Sequence, residues 1–171
     1  PGRHPRRGTP APDRCGGTCC RTQRVLDKMA ELGVADPESY HIENSSVSEY
    51  VEPMVEMLYG RLQRRGYMER DVRRMVNNDR NVFGSGLLKL GVGDGMITGL
   101  TRPFSQTITE VRRVLDPKPG HLPFGIHVMV GKNATYFLAD TTINERPSAE
   151  DLAQIATETA AVARRLGHEP R

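Results

Sequence analysis

Residues 94–116 read DGMITGLTRPFSQTITEVRRVLD. A short apolar run, Met96-Ile97, sits between Gly95 and Gly99, a polar loop with an arginine follows, and a helical pattern begins soon after. The order read here is strand, loop, helix: a buried strand over 94–99, then a helix over 105–116 with Ser105 as its N-cap. Loops that follow the carboxyl ends of buried strands are where α/β proteins hold anionic ligands. This loop collects Thr98, Gly99, Thr101, Arg102 and Ser105. Backbone N–H groups and hydroxyls at the start of a helix suit a phosphate, and Arg102 and Arg112 add positive charge.

Working toward the N-terminus, VFGSGLLKLG (82–91) reads as a helix whose small residues permit close backbone approach, and ERDVRRMVNN (69–78) as a shorter one. Ser48 is the expected cap of a long helix over 48–66, with Val51, Val55, Leu58 and Leu62 on one face and Pro53 in its first turns, where proline costs least. YHIEN (40–44) reads as a short strand. Val25, Leu26, Met29 and Leu32 recur at helical spacing, and Gly33 suits the C-cap. Toward the C-terminus, 124–131 and 135–140 read as strands joined by a Gly-Lys-Asn turn. The last helix opens with a capping box, Ser148 to Asp151, buries Leu152, Ile155, Thr159, Val162 and Leu166, and stops at Gly167. Strands alternating with helices predict an α/β fold, a mainly parallel sheet with flanking helices. The sequence reaches HEPR where a further strand is expected, so an incomplete domain, a fragment, is anticipated.

The chain has 171 residues, 37% hydrophobic, with a net charge of +3. That charge is not spread over the fold. Residues 1–24 hold six arginines and one acid, whereas the remainder has 18 basic and 20 acidic residues. An Arg-, Pro-, Gly- and Cys-rich composition cannot build a core, so 1–24 is read as a disordered or aberrant tail and 25–171 as the folded domain. A reading frame shift in that tail is a hypothesis that comparison of the three frames of the gene would test. A nucleic-acid partner has no support outside the tail, because the domain is slightly acidic and shows no aromatic-basic surface. All three cysteines, Cys15, Cys19 and Cys20, lie in the tail, with no second ligand pair to make a metal site and too odd a number for a disulfide framework. No apolar run is long enough for a membrane span and no secretory leader opens the chain, so a cytoplasmic protein is expected.

Three polar clusters flank the expected strands: 77–85, 98–107 and 139–147. In a parallel sheet such loops converge on one cleft. The candidate ligand-binding residues are Arg80, Thr98, Gly99, Thr101, Arg102, Ser105, Arg112, Asp140 and Asn144. Structural alternatives stand beside several: Arg80 as an ion-pair partner of Asp79 or Asp94, Arg112 as a solvated helix arginine, Asp140 as a turn cap, Asn144 as a loop tie. His127 is expected to be packed in a strand, and Met54, Met57, Met68 and Met75 to fill the core. No catalytic triad, metal cluster or acid pair is apparent, so residues alone lead as far as an anion-binding cleft.

NDRNVFGS, DGMITGLTRPFSQT and FLADTTINERPSAEDLAQIA, in that order, resemble the phosphate acetyl/butyryltransferase family. They are most similar to the version fused to the C-terminus of bacterial NADP-dependent malic enzymes. The resemblance spans roughly 25–171 and is strongest from Tyr59 onward. It implies a phosphotransacetylase-like fold of the isocitrate/isopropylmalate dehydrogenase type, here incomplete. Where free-standing phosphotransacetylases usually carry a His-Ser-Thr motif, this chain has TRPFSQT, as in the fused form. The resemblance matches Arg112 to an arginine that helps hold phosphate or CoA, and Asp140 and Asn144 to a family aspartate and asparagine. The family's Ser-Arg pair and partner aspartate have no counterpart here, which implies no catalytic residues and no acetyl transfer by this segment. The implied function is a regulatory and oligomerisation domain responsive to acetyl-CoA. The parent would oxidatively decarboxylate malate to pyruvate with NADP and a divalent metal, Mg or Mn, held outside this segment, which itself binds no cofactor. Its expected partners are acetyl-CoA, the malic-enzyme domain of the same chain and further copies of itself, with no nucleic acid or membrane. The alternative is part of a phosphate acetyltransferase, which moves acetyl between acetyl phosphate and CoA.

Overall fold

The computed structural model describes residues 19–170. The chain divides into two compact units, one ending at Leu115 and the other beginning at Asp116.

The first unit is helical. α1 (Cys19–Glu31) ends where Gly33 turns left-handed at φ 65° and its N–H reaches the Ala30 carbonyl at 3.1 Å, as the glycine C-cap requires. Residues 19–24, assigned above to the tail, therefore belong to a helix. The N-terminal tail otherwise lies outside the described residues, as does Cys15. The 40–44 segment forms no strand. α2 (Val51–Leu62) starts later than Ser48, whose hydroxyl instead accepts from the Tyr50 N–H at 3.3 Å ahead of the helix. Pro53 is then the third helical residue, where an N–H would have no intrahelical acceptor. Val51, Met54, Val55, Leu58 and Leu62 of α2 are buried, an i, i+3, i+4 stripe. They meet Val72 and Val76 of α3 (Glu69–Asn78), Val82 and Phe83 of α4 (Arg80–Lys89), and Val114 of α5 (Phe104–Val114). Of the four methionines expected in this core, Met54 is fully buried, Met57 and Met75 pack at its margin, and Met68 is exposed. A Cβ on Gly86 would lie 2.6 Å from the Met54 sulfur, so that glycine is what lets α4 approach the buried Met54 side chain of α2.

The expected strand at 94–99 is absent. Among the described residues nothing pairs with this segment, and a strand without a partner leaves its N–H and C=O groups unmet by a ladder. Ile97 and Leu100 are fully exposed, not buried. The segment is instead a looped connection that closes in a three-residue turn, the Thr101 N–H bonding the Gly99 carbonyl at 2.9 Å across Leu100, which adopts φ 66°. α5 begins at Phe104 with Pro103 as its uncapped N-cap residue, so Ser105 lies inside the first turn and does not cap it.

In the second unit β1 (Ile126–Val130) and β2 (Thr135–Ala139) pair antiparallel, from Ile126 opposite Ala139 to Val130 opposite Thr135. This hairpin is the whole sheet among the described residues, so the mainly parallel sheet expected from the alternation of elements is not formed. The physical reason is connectivity: a Gly-Lys-Asn link can only return a strand antiparallel, since parallel neighbours need a crossover. α6 (Ala149–Arg165) is capped as its sequence predicts, Asp151 N–H to Ser148 Oγ at 3.2 Å and Ser148 N–H to Asp151 Oδ2 at 2.9 Å. Its buried stripe is narrower than expected: Ile155 and Ala163 are buried, while Leu152 and Leu166 are more than half exposed. A two-stranded hairpin does not cover the whole helix face. No helix is long and apolar enough to cross a membrane, among the described residues.

Candidate functional site

The loop between α4 and α5 is tied to both helices by polar side chains. Asp79 caps α4, accepting from the N–H groups of Asn81 at 2.9 Å and Val82 at 3.4 Å. The same oxygen, Oδ1, accepts from Nη1 of Arg102 at 3.1 Å. That Nη1 also donates to Oε1 of Glu110 at 2.8 Å. Glu110 lies two turns into α5 and is 4% exposed. Its Oε1 takes a second bond from Gln106 at 2.8 Å, and its Oε2 takes one from the amide of Asn81 at 2.6 Å. Asn81, also buried, accepts the Thr98 hydroxyl at 2.5 Å. Arg80 donates to the Thr101 hydroxyl.

Burial pushes the Glu110 carboxyl up, but bonds from Asn81, Gln106 and Arg102 outweigh it and hold the group below its ordinary value of 4.5. Arg102 is raised, first by its bond to Glu110. Because the folded value of Glu110 lies below the unfolded one, its contribution is fully present above the ordinary carboxylate range and is lost as pH falls through the lower folded value. Stability is therefore expected to be insensitive to this group from pH 7 down to about 5 and to decline below that. Urea unfolding across that range, with Glu110→Gln as reference, checks it: the difference between the two proteins should narrow only at acid pH.

Thr98, Gly99, Thr101 and Arg102 thus share one loop with Arg80 beside it, as the sequence suggested. Arg80 bonds neither Asp79 nor Asp94; Arg102 takes Asp79 instead. Ser105 is exposed in the first turn of α5, its carbonyl engaged by Thr109 at 2.8 Å. Arg112 is exposed in the last turn, away from the network, and its carbonyl accepts from Arg61 at 3.4 Å. Sequence reasoning missed Glu110, Asn81 and Gln106. The i, i+4 spacing of Gln106 and Glu110 was visible, but no local signal says that Glu110 faces Arg102 and not solvent.

Asp140 and Asn144 belong to the second unit. Asp140 sits at φ 53°, its Oδ1 accepting the Asn144 N–H at 3.2 Å, while the Asn144 amide donates to the Pro123 carbonyl at 3.1 Å. Both hold the loop after β2, the structural role weighed above. His127 is exposed, not packed, and shares a 2.7 Å bond with the Thr141 hydroxyl. A cavity of about 820 Å³ lies between β2 and α6, lined by Phe137, Ile155, Ala163 and His168 among others, but by neither Asp140 nor Asn144. Among the described residues no group of three or more His, Cys, Asp and Glu is placed to hold a metal ion.

The family model for phosphate acetyl/butaryl transferase matches residues 21–171. An NADP-dependent malic enzyme of Rhizobium meliloti (strain 1021) is 45% identical over 151 residues, which are 87% of this chain and 20% of that protein. A phosphate acetyltransferase of Bacillus subtilis (strain 168) is 29% identical over 144 residues, 84% of this chain and 42% of the relative. The crystal structure of a phosphotransacetylase from Streptococcus pyogenes superimposes with a TM-score of 0.74 at 29% identity, over 87% of this chain and 45% of that one. The chain spans a fifth to two fifths of the length of these curated relatives.

Proposed function

From membership of the phosphate acetyl/butaryl transferase family, to which this chain belongs, we infer that it is a regulatory and oligomer-forming segment of a cytoplasmic NADP-dependent malic enzyme, responsive to acetyl-CoA. The parent protein oxidatively decarboxylates malate to pyruvate with NADP and a divalent metal bound elsewhere in the polypeptide. The observation that carries the reading is the double ion pair of Arg102 with Asp79 and Glu110. Acetyl transfer from acetyl phosphate needs uncompensated positive groups where phosphate charge develops. Here two carboxylates offset Arg102, and Arg80, bonded to the Thr101 hydroxyl, is left as the loop's one cation without a carboxylate partner among the described residues, so the loop is suited to bind a ligand and less suited to stabilise a phosphoryl leaving group. The stronger likeness to a malic enzyme than to the acetyltransferase points the same way.

A second reading, part of a phosphate acetyltransferase, is favoured by the family model itself. Calorimetry with acetyl-CoA on the full-length polypeptide, paired with an acetyl phosphate–CoA transfer assay on the same sample, separates the two. Binding without transfer, accompanied by a change in the rate of malate oxidation, is the expected result. Coupling of that kind requires acetyl-CoA to prefer one state of the enzyme over the other. Transfer would replace the regulatory reading with the catalytic one, and absence of both binding and transfer would leave only the assembly role.

A further inference from the structure

The polar network has a direction, and the direction follows from the donor and acceptor capacities of its members. An ionised carboxylate only accepts. The atom that Asn81 turns toward Glu110 Oε2, 2.6 Å away, is therefore its NH2 group, and its carbonyl must face Thr98. A carbonyl also only accepts, so the Thr98 hydroxyl gives up its single proton to Asn81 at 2.5 Å. What Thr98 keeps for a ligand is lone pairs. Thr101 is the opposite case. It accepts from the Arg80 guanidinium, and among the described residues no acceptor takes its own proton. Both threonines are exposed, three residues apart on the anchored loop.

We propose that Glu110 is a positioning residue that sets the hydrogen-bond polarity of this loop, leaving Thr98 an acceptor and Thr101 a donor. The loop then takes a ligand that offers an N–H or O–H group to Thr98 and an oxyanion to Thr101, with the Arg80 charge beside the oxyanion. Thr98 is thus not a phosphate ligand, contrary to its grouping with the other hydroxyls. The ligand half of the inference rests on the acetyl-CoA reading, since a molecule combining amide N–H groups with phosphates meets both requirements. The polarity half does not depend on it.

Two experiments on the full-length polypeptide test the halves separately. In the first, hydrogen exchange of the α4 and α5 amides, with those of Asn81 and Val82 at the α4 cap, is followed in Asn81→Asp, Glu110→Gln and the double variant. Asn81→Asp sets two carboxylates face to face and is expected to speed exchange roughly tenfold or more. In the double variant the introduced glutamine donates its amide N–H to the introduced aspartate carboxylate, which still accepts from Thr98, while the glutamine carbonyl still accepts from Arg102. Protection is expected to return to within about threefold of the unmodified protein. A double variant no better protected than Asn81→Asp alone overturns the polarity assignment. In the second, inorganic phosphate is titrated calorimetrically. Thr101→Val is expected to weaken it about tenfold and Thr98→Val less than about twofold. Equal losses overturn the assignment of Thr98, and no phosphate binding by the unmodified protein overturns the oxyanion half and, with it, the ligand reading, whatever the exchange cycle shows.

Discussion

Glu110→Ala is expected to destabilise the helical unit by about 2–3 kcal/mol, because it strands donors and not merely because it deletes a charge. Three side chains converge on this carboxylate from different directions: Arg102 from the loop, Gln106 from the preceding turn of α5 and Asn81 from α4. Alanine leaves the buried Asn81 amide facing a void with no acceptor, and a quarter-exposed Arg102 with Asp79 as its remaining carboxylate. Removing one partner of a fully buried ion pair typically costs about 3–5 kcal/mol. The lower figure reflects the partial exposure of Arg102 and the surviving bond to Asp79. Hydrogen exchange of α4 and α5 amides should accelerate by about 30- to 150-fold, the equivalent of that free energy. Glu110→Gln, which keeps the shape, should lose much less. If alanine and glutamine behave alike, the network does not depend on the acceptors of Glu110, and the loop is held by the backbone turn at Gly99–Thr101 instead.

The second large effect is expected at Leu58. It is fully buried at the centre of the α2 stripe, in the cluster formed with Met54, Leu62, Val72, Val76 and Val82. Leu58→Ala removes three carbon atoms from a site whose neighbours are themselves fully buried on rigid helices, so little collapse is available. A loss of about 3 kcal/mol is expected, from lost transfer energy and the residual cavity together. It should appear as faster exchange across α2, α3 and α4 as a body, unlike the change at Glu110, which is centred on the α4–α5 loop. Leu152→Ala on α6 provides the contrast. Leu152 is 54% exposed, and its truncation should change stability by less than about 1 kcal/mol. A Leu58 variant as mild as this would mean that the four-helix core is not the stabilising centre of the first unit.

The helices were legible because their signals are local. The α2 stripe, the left-handed glycine after α1 and the Ser148–Asp151 box each involve residues within a few positions of one another, and the chain geometry of a helix brings such residues together without help from the rest of the fold. The hairpin strands were legible in position for the same reason, through their alternation and the short turn between them. The family was legible too, because its three motifs are spelled out in the sequence in order.

What tertiary structure decided is whatever depends on a partner distant along the chain. Met96 and Ile97 have the composition of a buried strand, yet a strand exists only where another edge supplies hydrogen bonds, and no strand among the described residues does so. Arg102 was a candidate cation for an anion until folding brought Asp79, 23 residues before it, and Glu110, 8 residues after it, against the same nitrogen. Asn81 reaches Glu110 across 29 residues of sequence and so determines which way Thr98 points its proton. Helical order and family membership reside in short-range pattern and in motif; the charge state and hydrogen-bond polarity of the loop arise only when α4 and α5 pack, because a buried carboxylate acquires its donors from whatever the fold places beside it.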